Sequence, residues 1–108
     1  MIMKRTSPNY TAKCLKFAKH FKGRQGVTTH QIEYEDAHYF SGTAYVDGYE
    51  FVCIDQLEEK KYMVYINDPV GYDELQLVFG YYKTFRGALK KASAIVDKRQ
   101  YPEPVEIW

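Results

Sequence analysis

The clearest pattern of hydrophobic and polar positions lies in the middle of the chain, in the stretch GTAYVDGYEFVCID from Gly42 to Asp55. Asp47 and Gly48 stand between two runs rich in aromatic and β-branched residues, and an Asp-Gly pair in this setting is the strongest short-range signal for a β-hairpin. The register of a two-residue turn pairs Val46 with Tyr49 and Ala44 with Phe51 on one face, and Tyr45 with Glu50 and Thr43 with Val52 on the other.

Other segments also have the alternation of β-strands. Residues 61–67 carry apolar side chains on both faces, with Tyr62, Val64 and Ile66 opposite Met63 and Tyr65, and this is typical of a strand inside a sheet. In residues 75–82, Leu75, Leu77, Phe79 and Tyr81 are predicted to share one side. The predicted strands are 27–35, 38–46, 49–55, 61–67 and 75–82, with a charged connection at 56–60 and a surface loop at 67–74.

Two further segments repeat their apolar residues at the spacing of an amphipathic helix. Thr11 is predicted to cap a first helix of about three turns that ends at Phe21 or Lys22, before Gly23 and Gly26. Its predicted buried stripe consists of Cys14, Phe17, Ala18 and Phe21. Thr84 is predicted to cap a second helix that ends near Arg99, with a buried stripe of Phe85, Ala88, Leu89, Ala92, Ile95 and Val96.

These elements predict an α+β fold. Successive strands joined by short turns favour a four- to five-stranded antiparallel meander, flanked by an N-terminal and a C-terminal helix in the order α-β-β-β-β-β-α. Both helices must bury a stripe, so the economical arrangement has them on one face of the sheet. Residues 1–108 are predicted to form a single domain, in which the tail 101–108 cannot continue the helix because of Pro102 and Pro104. Residues 105–108 are expected to add a short edge strand or to lie in a groove.

Cysteine usage and hydropathy bound the class of protein. Cys14 and Cys53 lie far apart and form no CxxC pair, so both are expected to be buried thiols rather than metal ligands or half-cystines. The opening MIMKRTSP lacks the apolar stretch of a secretory signal, and no apolar run is long enough to cross a membrane. A cytoplasmic protein without membrane contact and without a cofactor is therefore expected.

Charge is strongly segregated along the chain although the net charge is only +1. Residues 1–32 contain seven Lys and Arg residues and no acid. Residues 33–82 contain eleven acidic residues against two lysines, and residues 83–99 contain six basic residues against one acid. The two predicted helices are therefore basic and the predicted sheet is acidic.

The basic helices give the leading functional hypothesis, which is binding of a nucleic acid or a nucleoprotein complex without catalysis. If both helices lie on one face, their outer sides form a surface that can neutralise several phosphates. The predicted contact residues are Lys13, Lys16, Lys19, Lys22, Lys83, Arg86, Lys90 and Lys91. The alternative interpretation is that these cations are only the solvated sides of two amphipathic helices.

The segment YYKTFRGALKKASAIVDKR, residues 81–99, resembles the basic second helix of double-stranded RNA-binding domains, and His38 before the hairpin adds to the resemblance. That family runs α-β-β-β-α, so the resemblance implies RNA binding through this helix. The first loop lacks the family's Gly-Pro pair, and one or two additional strands separate the hairpin from the helix. The small size and tyrosine-rich composition also resemble those of accessory proteins of phages and mobile elements, including inhibitors of CRISPR effectors.

The acidic middle segment gives an alternative, a protein-protein interaction module. An acidic, tyrosine-rich sheet face can dock on a basic protein groove, and the C-terminal tail can supply an aromatic anchor. The predicted interface residues are Tyr45, Glu50, Tyr65 and Trp108, and a homodimer is one form of this alternative.

No catalytic motif stands out, and the chain is expected not to be an enzyme. His30, His38, Cys53, Asp36 and Asp55 have suitable side chains, but no spacing places a nucleophile beside a base. The run Glu58-Glu59-Lys60-Lys61 contains the carboxylate-x-lysine spacing of some metal nucleases, but its place between strands favours a solvated turn.

Overall fold

One antiparallel sheet organises the part of the chain that the structure describes. The structure is a computed structural model that describes residues 8–31, 39–67 and 75–108, with side chains from residue 12 onward in the first range. The elements in chain order are α1 (Pro8–Phe21), β1 (Val27–Gln31), β2 (Ser41–Val46), β3 (Tyr49–Glu58), β4 (Lys61–Asn67), β5 (Gln76–Tyr82), α2 (Phe85–Lys98) and β6 (Glu106–Ile107). Within these ranges the strands form a six-stranded meander in the order β1-β2-β3-β4-β5-β6.

Both helices pack on the same face of this sheet, which confirms the predicted α+β meander with flanking helices. Helix α1 lies over β1 and β2, and α2 lies over β3, β4 and β5. Their aromatic side chains meet in one core, where Phe40 contacts Phe17 of α1 at 5.2 Å and Phe85 of α2 at 4.8 Å between ring centroids. Five strands of alternating direction separate the helices, so α1 and α2 run in the same direction.

Two bulges change the predicted register. In the hairpin, Val46 pairs with Tyr49 and Tyr45 with Glu50 as predicted, but Ala44 pairs with Val52 rather than with Phe51, because Phe51 is an extra residue in β3. The bulge turns Val52 towards the helices, where it is fully buried. The predicted pairing of Thr43 with Val52 is therefore also wrong, since Thr43 lies opposite Cys53.

A second bulge at Phe79 corrects the predicted face of β5. Val64 pairs with Gly80 and Tyr65 with Val78, so Phe79 is the extra residue. Leu77 and Phe79 both contact the core beneath the helices. Tyr81, which was predicted to share their side, lies opposite Met63 on the other face and is 37% exposed.

Helix α1 differs from its prediction at its start and along one flank. It begins at Pro8, a residue that suits the first turn of a helix, so Thr11 lies inside the helix and does not cap it. Phe17 and Phe21 are buried as predicted, and Cys14 is half-buried. Ala18 is exposed because α1 lies over the outermost strand, and the side of the helix that faces away from α2 has no neighbour among the described residues.

Helix α2 agrees with its prediction throughout. The Thr84 hydroxyl accepts a hydrogen bond from Gly87 N at 3.1 Å and caps the helix, and Arg99 ends it with a φ of 51°. Every residue of the predicted stripe is buried. The tail beyond it adds the short edge strand β6, which pairs with β5.

The remaining boundaries shift by a few residues. β3 continues to Glu58, so the predicted charged connection shortens to Glu59 and Lys60. β2 begins at Ser41, and β5 begins at Gln76. The predicted strand residues 32–35, the predicted strand start His38 and most of the predicted loop at 67–74 lie outside the described residues. Five strands between the helices, rather than three, separate this fold from the double-stranded RNA-binding arrangement.

Candidate nucleic-acid interface

A groove runs between the outer sides of α1 and α2, on the surface that faces away from the sheet. Its volume is about 440 Å³. Helix α1 lines it with Lys16, Lys19 and His20, and α2 lines it with Phe85, Arg86 and Leu89. The two apolar residues are more than nine-tenths buried and form the floor, while the cationic side chains are exposed at the rims. The groove therefore combines an apolar base with positively charged edges.

The helical repeat explains why these residues converge. Lys16 and His20 are four residues apart in α1 and lie on one flank, next to the buried pair Phe17 and Phe21. Arg86 lies in the first turn of α2, whose start is fixed by the Thr84 cap. The first turn of α2 lies beside the second half of α1, where Lys16, Lys19 and His20 are located.

The cations of the groove are not neutralised by carboxylates within the described ranges. Within those ranges, Arg24 and Asp97 form an ion pair at 2.7 Å. Lys16, Lys19 and Arg86 have no carboxylate of the described residues within 4 Å. Helix α2 contains four basic residues and one acid, Asp97. Helix α1 contains three lysines and no acid. The helix layer thus keeps a net positive charge at the groove.

His20 adds a neutral group to the cationic rim. Its ring lies edge-on to Phe21, with centroids 5.3 Å apart. Burial, and next the nearby charge of Arg24, lower the pKa of His20 from its ordinary value, while Asp97 opposes the shift. The imidazole is therefore uncharged near neutral pH and can both donate and accept hydrogen bonds in the groove.

The other predicted cations lie around the groove rather than in it. Lys13 is half-buried at one end, where Nζ donates to Gln56 Oε1 at 3.2 Å and lies 5.5 Å from the centre of the Tyr62 ring. Lys22 lies on the opposite flank of α1, and Lys83 is exposed just before α2. Lys90 is exposed and Lys91 lines a separate pocket with Tyr101 on the far side of α2. The structure thus brings together Lys16, Lys19 and Arg86.

The face of the sheet opposite the helices holds a hydrogen-bonded network of acidic and polar side chains. Glu50 Oε1 accepts from Cys53 Sγ at 3.0 Å and from Asn67 Nδ2 at 3.2 Å. Asp55 accepts from Ser41 Oγ at 2.7 Å and from the Tyr65 hydroxyl at 3.0 Å. Positive and negative groups therefore lie on opposite sides of the sheet.

Two side chains of this network are buried and protonated. Burial, followed by the hydrogen bond to Glu50, raises the pKa of the Cys53 thiol. Burial, followed by the charge of Asp55, raises the pKa of Tyr65. Tyr65 is 7% exposed, so this predicted interface residue does not present its ring to the surface.

The remaining predicted interface residues have separate positions. Tyr45 is half-buried, and Glu50 is exposed although it accepts hydrogen bonds. The Trp108 side chain is 63% exposed, but its backbone N and O pair with Gln76 at 2.9 and 3.0 Å. The end of the tail is therefore fixed to β5 and displays its indole.

The described ranges contain no group of three or more His, Cys, Asp or Glu side chains that could hold a metal ion. Glu58 and Glu59 are exposed at the turn between β3 and β4. No described helix is long and apolar enough to cross a membrane.

Sequence reasoning identified the cations of the groove but missed its other components. His20 is not among the predicted contact residues, and the pattern of the second helix predicts only that Phe85 and Leu89 are buried. The four-residue spacing of His20 from Lys16 is the signal that places both on one flank of α1. Comparisons of the chain with protein-family models, with curated proteins and with solved structures give no match.

Proposed function

We propose that this protein binds a nucleic acid or a nucleoprotein complex in the groove between α1 and α2, without catalysing a reaction. The observation that carries the proposal is the convergence of Lys16, Lys19 and Arg86 on one groove, with no carboxylate of the described residues within 4 Å of them. Cations held close together without acidic partners attract the closely spaced charges of a phosphate backbone and release its counterions.

The composition of the groove also favours this ligand over a small organic anion. Arg86 can hold a phosphate through two parallel hydrogen bonds, while the flexible lysines act as point charges. Neutral His20 can hydrogen-bond to a phosphate or a sugar hydroxyl, and the apolar floor can contact the sugar. Contacts of this kind position a backbone and carry no sequence information, so binding with little sequence preference is expected.

Fluorescence anisotropy with labelled single-stranded and duplex RNA and DNA tests the proposal. If four cations, those of the groove and Lys90, each contact one phosphate, affinity for a duplex falls about 100-fold between roughly 50 and 200 mM salt. Lys16→Glu combined with Arg86→Glu is expected to abolish binding at the higher salt concentration and to make the salt dependence shallower, by about one unit of log-log slope for each cation lost.

The matched control is Lys60→Glu combined with Lys61→Glu, which makes the same change of net charge at the turn between β3 and β4. The control should weaken binding far less than the groove variant. Absence of binding at low salt, or an equal loss in both variants, would contradict the proposal. The expectation that the partner is host nucleoprotein machinery, inhibited by a phage or mobile-element protein, stays a prediction.

A second candidate function is docking on a protein with a basic groove. It is supported by the exposure of Val105, Ile107 and Trp108, each more than 60% exposed although the tail is hydrogen-bonded to β5, and by the neighbouring acid Glu106. Trp108→Ala should leave the melting temperature unchanged and lose a partner in nuclease-treated pull-downs from the native host. Loss of the partner on nuclease treatment alone would favour the nucleic-acid proposal instead.

A further inference from the structure

The two edges of the sheet differ in how they are protected. β6 is two residues long, follows Pro102 and Pro104, and includes the charged residue Glu106. β1 is five residues long, pairs with β2 without a bulge, and contains neither proline, lysine nor a carboxylate. Natural proteins usually block an exposed edge with such features, because a regular uncharged edge pairs with another strand. No strand of the described residues covers the outer edge of β1.

An apolar groove lies directly beside this edge. Leu15 is 68% exposed and Ala18 is exposed, and both project from the flank of α1 that faces away from α2. Together with Val27 and Thr29 of β1 they line a groove of about 660 Å³. The edge of β1 and the outer flank of α1, which no other element of the described residues covers, are therefore parts of one surface.

We propose that this surface is occupied by a second copy of the same chain, whose β1 pairs antiparallel with β1 about a two-fold axis at Thr29. The pairing continues the sheet from one copy into the next. It also places the two copies of α1 side by side on the same face of the continuous sheet. A two-fold interface must be self-complementary; two features of this surface satisfy that condition, and a third sets its dependence on salt.

The first feature is the alignment of the strand with the helix. Phe21 and Val27 lie at the two ends of the tight turn between α1 and β1. The centre of β1, at Thr29, is two strand residues or about 7 Å from Val27. The midpoint between Leu15 and Ala18 is four to five helical residues or about 7 Å from Phe21. One two-fold axis therefore passes through the middle of both elements.

The second feature is the distance between the helices. Strands in a sheet lie about 4.8 Å apart, so an axis half a spacing outside β1 places the two copies of α1 about 10 Å apart when α1 lies midway between β1 and β2. Helices pack at about 8–10 Å. At that distance Leu15 of each copy lies against Ala18 of the other, and the small Ala18 side chain makes room for Leu15.

The third feature is charge. The edge of β1 contains no formally charged group, and Lys16 and His20 face α2 rather than the axis, but Lys19 and Lys22 line the groove beside β1. The two copies of Lys22 lie about 16 Å apart along the helices, which is twice the Debye length at physiological ionic strength, whereas the two copies of Lys19 lie about 8 Å apart. Salt screens the repulsion between the Lys19 copies, so the pairing of two copies should strengthen as the ionic strength rises, whereas binding of an acidic peptide should weaken.

The size of the surface sets the expected affinity. If about twelve residues of each copy take part, the interface buries about 800 Å² in total, which is below the standard size of stable complexes. Such an interface predicts a dimer with a dissociation constant in the micromolar range or weaker. The monomer of 12.7 kDa should therefore predominate at low concentration and the dimer at high concentration.

Sedimentation velocity from about 10 µM to about 1 mM tests the proposal. The expected result is a rise in mass from 12.7 kDa towards twice that value. Leu15→Glu combined with Ala18→Glu should abolish the rise without lowering the melting temperature, whereas the control Val105→Glu, at a residue that is 64% exposed, should not. A chain that stays monomeric at all concentrations would overturn the proposal, whether its edge is bare or covered by a segment of another protein. A dimer that survives in the Leu15 and Ala18 variant would also overturn it.

A cross-linking experiment tests the register. Residues directly opposite each other across an antiparallel pair have Cα atoms about 4.5–5.5 Å apart, which suits a disulfide. In a Cys14→Ser background, Thr29→Cys should cross-link two copies on mild oxidation, because residue 29 of each copy faces residue 29 of the other. Thr28→Cys should not cross-link, because residue 28 of one copy faces residue 30 of the other. Cross-linking through residue 28 instead of residue 29 would overturn the proposed axis.

Discussion

Tyr101 joins the end of α2 to the sheet, and replacing it measures what this contact contributes to stability. Its ring lies between Phe51 and Phe79, with centroid distances of 4.7 and 5.6 Å and interplanar angles of 22° and 10°. Its hydroxyl donates a hydrogen bond to Phe51 O at 2.8 Å. Both phenylalanines are the extra residues of strand bulges, so two of the irregularities in the described sheet contact the same tyrosine.

The magnitudes follow from these contacts. Tyr101→Phe removes only the hydrogen bond and should lower the free energy of unfolding by about 1 kcal/mol. Tyr101→Ala also removes two stacked ring contacts, each worth about 0.5–1.5 kcal/mol, and the apolar burial of the ring. The total loss should be about 3 kcal/mol, at the lower end of the range for aromatic truncations, because Tyr101 is only half-buried.

Thermal unfolding followed by circular dichroism is the assay. A loss of 1 kcal/mol corresponds to a decrease of about 4 °C for a domain of this size, so Tyr101→Ala should melt roughly 12 °C below the wild type. The control is Tyr49→Ala, which removes a tyrosine that is 78% exposed and should change stability by less than about 0.5 kcal/mol. Equal effects of the two alanine variants would refute the reasoning.

The same residue gives a dependence on pH. Burial, and next the charge of Glu50, raise the pKa of Tyr101 to about 12. The tyrosine of the unfolded chain titrates near pH 10. The stabilisation contributed by the neutral phenol is therefore complete below pH 10 and is lost as the pH rises towards 12. The stability advantage of the wild type over Tyr101→Phe should shrink over that interval, and a constant difference would contradict the assignment.

Two further predictions concern other parts of the fold. Thr84→Ala leaves Gly87 N without its cap and should lower the free energy of unfolding by about 1 kcal/mol in urea denaturation, whereas Thr84→Ser should retain most of it. Cys53 is 2% exposed and its thiol pKa is raised, so a thiol reagent at pH 8 should modify it only when the domain unfolds. Peptide mapping by mass spectrometry would detect rapid native-state labelling of Cys53, which would contradict this prediction.

The sequence predicts most accurately where one pattern alone determines the outcome. Helix α2 has a wide apolar stripe and a capping threonine, and its stripe is buried as predicted. β4 is apolar on both faces and lies inside the sheet. The turn at Asp47 and Gly48 also forms as predicted, with a φ of 52° and 85°, because these residues tolerate the left-handed region better than others do.

The sequence fails where the outcome depends on the neighbours of an element. Periodicity places Ala18 beside Phe17 and Phe21 but does not reveal that this flank of α1 overhangs the outermost strand. The alternation also does not reveal the bulges at Phe51 and Phe79. Both phenylalanines stack on Tyr101, which is far from them in the sequence, so no local pattern records this contact. The convergence of His20 with Arg86 depends on how two distant helices pack, which no local pattern records.

The meander topology determines where the basic, acidic and basic segments of the chain lie in the fold. With five antiparallel strands between them, the first and last helices can cover the same face, so the two basic segments combine while the acidic middle supplies Glu50 and Asp55 to the opposite face. Among the described residues, the net charge near zero thus combines a cationic helix layer with the carboxylates of Glu50 and Asp55 on the opposite face. The field of a polyanion attracts the first face and repels the second, so it favours an approach with the helices first. The proposed binding therefore depends on the local charge of the groove between the helices and not on the total charge of the chain.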